Sequence, residues 1–103
     1  MAETLEVVNN EQAHRFEVAI GNEVAFAEYN LVEHGIILPH TLVPESLEGK
    51  GIGGQLARAA LKYAREHDLK VIPTCPFMAA YIKKHPEHHD QVHPDFRARL
   101  GIE

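Results

Sequence analysis

Val43-Pro44-Glu45-Ser46-Leu47-Glu48-Gly49-Lys50-Gly51-Ile52-Gly53-Gly54 joins a strand-like run ending at Val43 to an amphipathic helix beginning near Lys50. The rest of the chain is placed by reference to this junction. Four glycines within six residues leave the opening turn of the helix bare of side chains. A ligand can therefore approach backbone N–H groups that have no partner inside the helix. With the positive end of the helix dipole, these donors make a site suited to phosphate.

Downstream, Ile52, Leu56, Ala59, Ala60, Tyr63 and Ala64 recur at helical spacing as far as about His67, with Gln55, Arg58, Lys62 and Arg65 between them. Asp68-Leu69-Lys70 ends the helix and Val71-Ile72-Pro73-Thr74 reads as a short strand. The helix is then the crossover that a parallel pair requires. Cys75-Pro76 opens a second helix running to about Lys84, which His85-Pro86 ends. A polar, mobile C-terminal segment is expected beyond it.

Upstream, Ile36 to Val43 is a strand interrupted by Pro39, which cannot donate to a ladder. The strand should bulge there or lack a partner along that side. Unpaired backbone groups of Thr41, Leu42 and Val43 can then take an extended amide-bearing ligand as a surrogate strand. Before it, Phe16, Val18 and Ile20 alternate with Arg15 and Glu17, and Gly21-Asn22 turns the chain back into Glu23 to Leu31. Leu5 to Asn9 is a further short strand, and Asn10, Glu11 and Gln12 form the turn after it. The expected fold is α+β: a mixed, mostly antiparallel sheet with one central β-α-β unit and a second helix toward the C-terminus.

At 103 residues the chain is one domain with one core. It has no apolar run of the ~18 residues a membrane helix needs, and Met-Ala-Glu-Thr-Leu-Glu lacks the features of a signal peptide, so a cytoplasmic protein is expected. A single cysteine, Cys75, excludes an internal disulfide. The net charge of −5 argues against general nucleic-acid binding. The charge is unevenly spread: residues 1–48 carry nine acidic groups and one basic, residues 49–103 six acidic and nine basic. Lys50, Arg58, Lys62 and Arg65 fall on the helix after the glycines, where an anion would be held. The acidic first half is suited to attract a cationic substrate.

Gly49, Gly51 and Gly54 match G-x-G-x-x-G in form, but no acidic residue follows the next strand and the chain is too short for a doubly wound sheet. The nucleotide-triphosphate loop fails too, since Pro44 replaces its first glycine and Gly51 stands where a hydroxyl should hold magnesium. The segment instead resembles the pyrophosphate loop of the GCN5-related N-acetyltransferases: Gln or Arg, two free positions, Gly, one free position, then Gly or Ala. Here it reads Glu48-Gly49-Lys50-Gly51-Ile52-Gly53, with Glu48 where the family has Gln or Arg. With His40-Thr41-Leu42-Val43-Pro44, Val71 to Phe77, Tyr81-Ile82 and His85-Pro86, the chain is similar over about residues 5–92 to the small YjdJ-type branch of that family.

The resemblance implies a minimal fold of that family, acetyl-coenzyme A as co-substrate, no metal, and acetyl transfer to a small-molecule or peptide amine. One alternative is a coenzyme A- or acyl-coenzyme A-binding module with little or no catalysis, since so short a chain lacks the elements that form an acceptor pocket. Another is an acyl hydrolase using Cys75 and His40, disfavoured because no third group orients them. A monomer or weak homodimer goes with the resemblance. It implies coenzyme A contacts at Thr41, Leu42, Val43, Glu48, Gly49, Lys50, Gly51, Ile52, Gly53, Gly54, Pro76 and Lys84. Tyr81 falls where the family places the tyrosine that protonates the departing thiolate. Imidazole is the side-chain type suited to taking an amine's proton, and His40 on the bulged strand is the candidate. Cys75, at a helix N-terminus, either accepts the acetyl group or lines the pocket. The expectation is that His40, Cys75 and Tyr81 face one cleft. His85, His88, His89 and His93 do not form a known zinc spacing, since Pro86 breaks the helix that would align His85 with His89.

Overall fold

In the computed structural model, which describes residues 6–102, five strands form one sheet in the order β1-β2-β3-β4-β5. They are β1 (Val8–Asn10), β2 (Arg15–Ile20), β3 (Glu23–Val32), β4 (Gly35–Leu42) and β5 (Lys70–Ile72). The first four are antiparallel neighbours and β4 runs parallel to β5. The expected α+β class and β-α-β unit are present. β1 runs to Asn10 and the turn follows at 11–14. The expected strand start at Leu5 lies outside the described residues, as does most of the N-terminal hexapeptide.

The hairpin forms at Gly21-Asn22, with Ile20 opposite Glu23. Gly21 takes φ +61° while Asn22 does not enter the positive region, the pattern of a turn needing glycine at its first central position. Alternation in β2 buries Phe16 and Val18 and leaves Ala19 in solvent. In β3 it buries Ala25, Ala27 and Tyr29.

Between β3 and β4, Glu28 faces His40 and Asn30 faces Ile37. Leu38 and Pro39 together therefore oppose Tyr29 alone, a bulge at the proline. The extra residue resets the alternation. Leu38 is buried, and an unbroken strand would turn His40 to that same side. The bulge instead brings His40 opposite Glu28 and Thr41 opposite the buried Ala27.

α1 (Ile52–Glu66) is the crossover from β4 to β5; it lies across β2 to β5 and buries Ile52, Leu56, Ala57, Ala60, Leu61 and Ala64. α2 (Pro76–Lys84) packs beside α1 and on β4 through Met78 and Ile82. Both helices bury their apolar stripes on the face of the sheet that carries Phe16, Ala27 and Ile36. Arg15, Glu17, Phe26, Glu28 and His40 face the other way. Among the described residues no helix is long and apolar enough to cross a membrane.

The C-terminal segment departs from the mobile tail expected of it. Pro86–Gln91 forms a turn of 3₁₀ helix, Val92 bridges to Val71 beside β5 with no exposure, and α3 (Pro94–Leu100) follows. His93 caps α3 by accepting the Asp95 N–H at 3.2 Å, and Gly101 closes it at φ +70°. The buried Gln91 donates to the Leu61 carbonyl at 2.8 Å and accepts from Arg65 at 2.9 Å. A side chain so satisfied can be buried without loss.

Arg65 also reaches both carboxylate oxygens of Asp90 at 3.3 Å. Its hydrogen bonds hold the Asp90 carboxyl below the usual carboxylate range. The charged form is thus favoured by folding, so this contribution is full above the ordinary carboxylate range and lost as pH falls through the lowered value. The pair is exposed and the effect small. Protection factors of amides at 92–100, which correct exchange rates for their intrinsic fall with pH, should drop slightly on acidification, and Asp90→Asn should flatten that pH dependence.

Candidate functional site

The site grows from the end of β4. After Leu42 the chain makes one 3₁₀ turn, Glu45–Leu47, whose Leu47 is buried and pins the loop to the protein. Gly49 and Gly51 then take φ +82° and +74°, and Gly51 is the residue before α1. No side chain caps this helix and no acidic residue stands in its first turn. The first helical hydrogen bond is from Gln55 N–H to Gly51 at 3.1 Å, so Ile52, Gly53 and Gly54 have no backbone acceptor among the described residues. Apart from their own chain neighbours, no atom lies within 4 Å of where a Cβ of Gly49 or Gly51 would be, so the loop is open at these two glycines.

Phe77 closes one side. A Cβ on Gly53 would sit 2.7 Å from its ring, so glycine here is what allows the ring to lie against the loop. A cleft of about 470 Å³ results, lined by Thr41, Leu42 and Val43, by Leu47, Glu48, Gly49, Gly51, Ile52, Gly53 and Gly54, and by Phe77. Of the residues expected here, Lys50, Pro76 and Lys84 are exposed and outside the lining. Leu47 and Phe77 were not singled out. Phe77, in the first turn of α2, is 41% exposed, and only its contact with Gly53 marks it as part of the site.

β5 pairs with β4 only as far as Ile72 opposite Ile37. The chain then crosses over: the Cys75 N–H donates to the Leu38 carbonyl at 2.9 Å and the Thr74 hydroxyl to the same oxygen at 3.5 Å. From Pro39 to Leu42 this side of β4 has no strand beside it among the described residues. The gap expected from the proline is present, and it opens beside the cleft.

His40, Cys75 and Tyr81 do not share one cleft. Cys75 is buried, and its thiol donates to the Thr41 hydroxyl at 3.6 Å on the helix-covered face. His40 is exposed on the opposite face, its ring 6.0 Å from that of Phe26. The bulge separates them, since it turns consecutive residues of β4 in a way that plain alternation does not predict. A Cys75–His40 pair for acyl hydrolysis is thereby excluded. Tyr81 is half-buried near the loop, 3.7 Å from where a Gly54 Cβ would be, with its ring stacked on His85 at 4.0 Å.

The histidines after α2 have their own partners. His85 and His89 bond the Tyr81 and Ile82 carbonyls at 2.7 and 2.9 Å, and His88 bonds Gln91 at 2.7 Å. Among the described residues no three His, Cys, Asp or Glu side chains are grouped to hold a metal ion.

The family model for GCN5-related N-acetyltransferases matches residues 15–92. Protein NATD1 of Mus musculus is 35% identical over 85 residues, covering 80% of this chain and 77% of that protein. Protein NATD1 of Danio rerio is 29% identical over 99 residues, covering 93% and 84%. A GCN5-like protein from Staphylococcus aureus, solved by NMR, superposes with a TM-score of 0.70 at 30% identity, covering 86% of this chain and 88% of that one.

Proposed function

The chain belongs to the GCN5-related N-acetyltransferase family, and from that premise we propose that it transfers the acetyl group of acetyl-coenzyme A to an amine by direct attack. The observation that carries this reading is the row of amides at Ile52, Gly53 and Gly54 with no backbone acceptor among the described residues, next to open space at Gly49 and Gly51 and to a strand with a free edge. Those amides take the pyrophosphate, with the dipole of α1 behind them. The backbone of Thr41 to Val43 pairs with the pantetheine amides, and Phe77 gives the cleft an apolar wall. Lys50 and Lys84, with Pro76, serve the nucleotide end from outside the cleft, and Lys50 offsets the carboxylate of Glu48.

Acetyl-coenzyme A supplies an activated thioester. The amine nitrogen attacks its carbonyl carbon, the C–S bond breaks, the amine's proton passes to His40 and the thiolate takes one from Tyr81. The gap beside Pro39 to Leu42 lets an amine on the open face reach a thioester held from the other. Cys75 stays buried behind Thr41, whose hydroxyl its thiol engages, and takes no part in the transfer. Thiolates leave readily, so Tyr81→Phe should lower kcat only about tenfold, below the usual range for an acid. The KM for acetyl-coenzyme A should stay unchanged.

The deciding experiment is incubation with acetyl-coenzyme A and a panel of amines and peptides, read by mass spectrometry. Product with a mass gain of one acetyl group, and less of it with Tyr81→Phe, supports the reading. The open face of the sheet favours one rival, a coenzyme A-binding domain without turnover. Thermal stabilisation by coenzyme A with no acetylated product would establish that rival instead.

A further inference from the structure

The bulge that turns His40 outward also sets it in a row with Glu28 and Arg15, directly opposite one another across β4, β3 and β2. Arg15 would be expected to pair with Glu28, its neighbour across the strands. It does not: its guanidinium bonds Glu17 and lies 4.4 Å over the ring of Phe26. Glu28, half-buried in the sheet, is left with no hydrogen bond or ion pair among the described residues. Next to it, Phe26 and Leu42 face each other across β3 and β4, and Leu42 is 44% exposed.

A carboxylate with no partner beside an apolar strip is complementary to a positive charge on an alkyl stem. A divalent ion would need further ligands, and no such group is present among the described residues. We infer that Glu28 binds the ammonium of an alkyl primary amine, whose methylenes lie along Phe26 and Leu42 and whose nitrogen faces His40. For its catalytic meaning this rests on the acetyl-transfer reading, since it names the acceptor of that reaction. The binding itself needs no coenzyme A.

The test is an NMR titration of the full chain with two probes, free diaminobutane and an end-blocked tripeptide containing lysine, and with the same tripeptide carrying acetyl-lysine. The amines should shift the His40 ring and the amides of Phe26, Glu28 and Leu42, and the acetylated peptide should not. Loss of one charge-assisted hydrogen bond should make Glu28→Gln bind at least about tenfold more weakly. Glu28→Asp, which keeps the charge, should bind better than Glu28→Gln, and the tighter of the two probes identifies the source of the amine. Equal binding by Glu28→Gln, equal binding of the acetylated peptide, or shifts confined to other strands would overturn the inference. Coenzyme A is titrated separately, so failure of the acetyl-transfer reading shows as absent coenzyme A binding and is distinct from failure here.

Discussion

Gly51→Val should reduce coenzyme A binding by roughly two to four orders of magnitude while leaving the protein folded. Gly51 sits at φ +74° with open space where a side chain would be. A β-branched residue at that angle strains the backbone by about 1–2 kcal/mol. It also fills the space through which a diphosphate reaches the amides of Ile52 to Gly54. Losing two charge-assisted hydrogen bonds at ~1.5–3 kcal/mol each corresponds to that range of affinity. Gly101→Val is the control: Gly101 has φ +70° and equally open surroundings but closes α3. It should lower Tm without changing the coenzyme A affinity measured by calorimetry.

The second large effect lies away from the cleft. Gln91→Leu removes the donor to the Leu61 carbonyl and the acceptor shared by Arg65 and His88. With buried polar atoms left short of partners, the loss should be about 2–4 kcal/mol. In a domain of this size that lowers Tm by roughly 10 °C or more. In urea the midpoint should fall at an unchanged slope, because the same surface is exposed on unfolding. Glu87→Ala, on an exposed side chain of the same turn, should change stability by less than about 0.5 kcal/mol.

The parts legible in the sequence were those fixed by neighbouring residues. Gly21-Asn22 between alternating runs marks a hairpin, and four glycines before a 3.6-residue periodicity mark a bare helix start. Pro39 marked the bulge, because a missing N–H is a local fact. What the bulge does to the next residues is not local. It depends on which residues of β3 lie opposite, and that register put His40 beside Glu28 and Thr41 beside Cys75. The expectation of one shared cleft failed for this reason.

The C-terminal segment was hidden by its composition. Pro-Glu-His-His-Asp-Gln has no apolar face, and its burial depends on Gln91 meeting Leu61 and Arg65, residues far back in the chain. The signal that was there is sparse: Val92 alone, then Phe96 and Leu100 one helical turn apart after His93-Pro94-Asp95. Phe77 as a cleft wall was equally out of reach, because it depends on Gly53, far back in the chain, having no Cβ to push the ring away.

Whether the amides opening α1 hold a diphosphate is read from amide chemical shifts recorded while coenzyme A is added. The largest changes should fall at Gly49 and at Gly51 to Gly54, with smaller ones at Thr41 to Val43, and pantetheine, which lacks the diphosphate, should give much weaker ones. Unchanged glycine amides at saturating coenzyme A, or changes as large with pantetheine, would contradict a diphosphate site there.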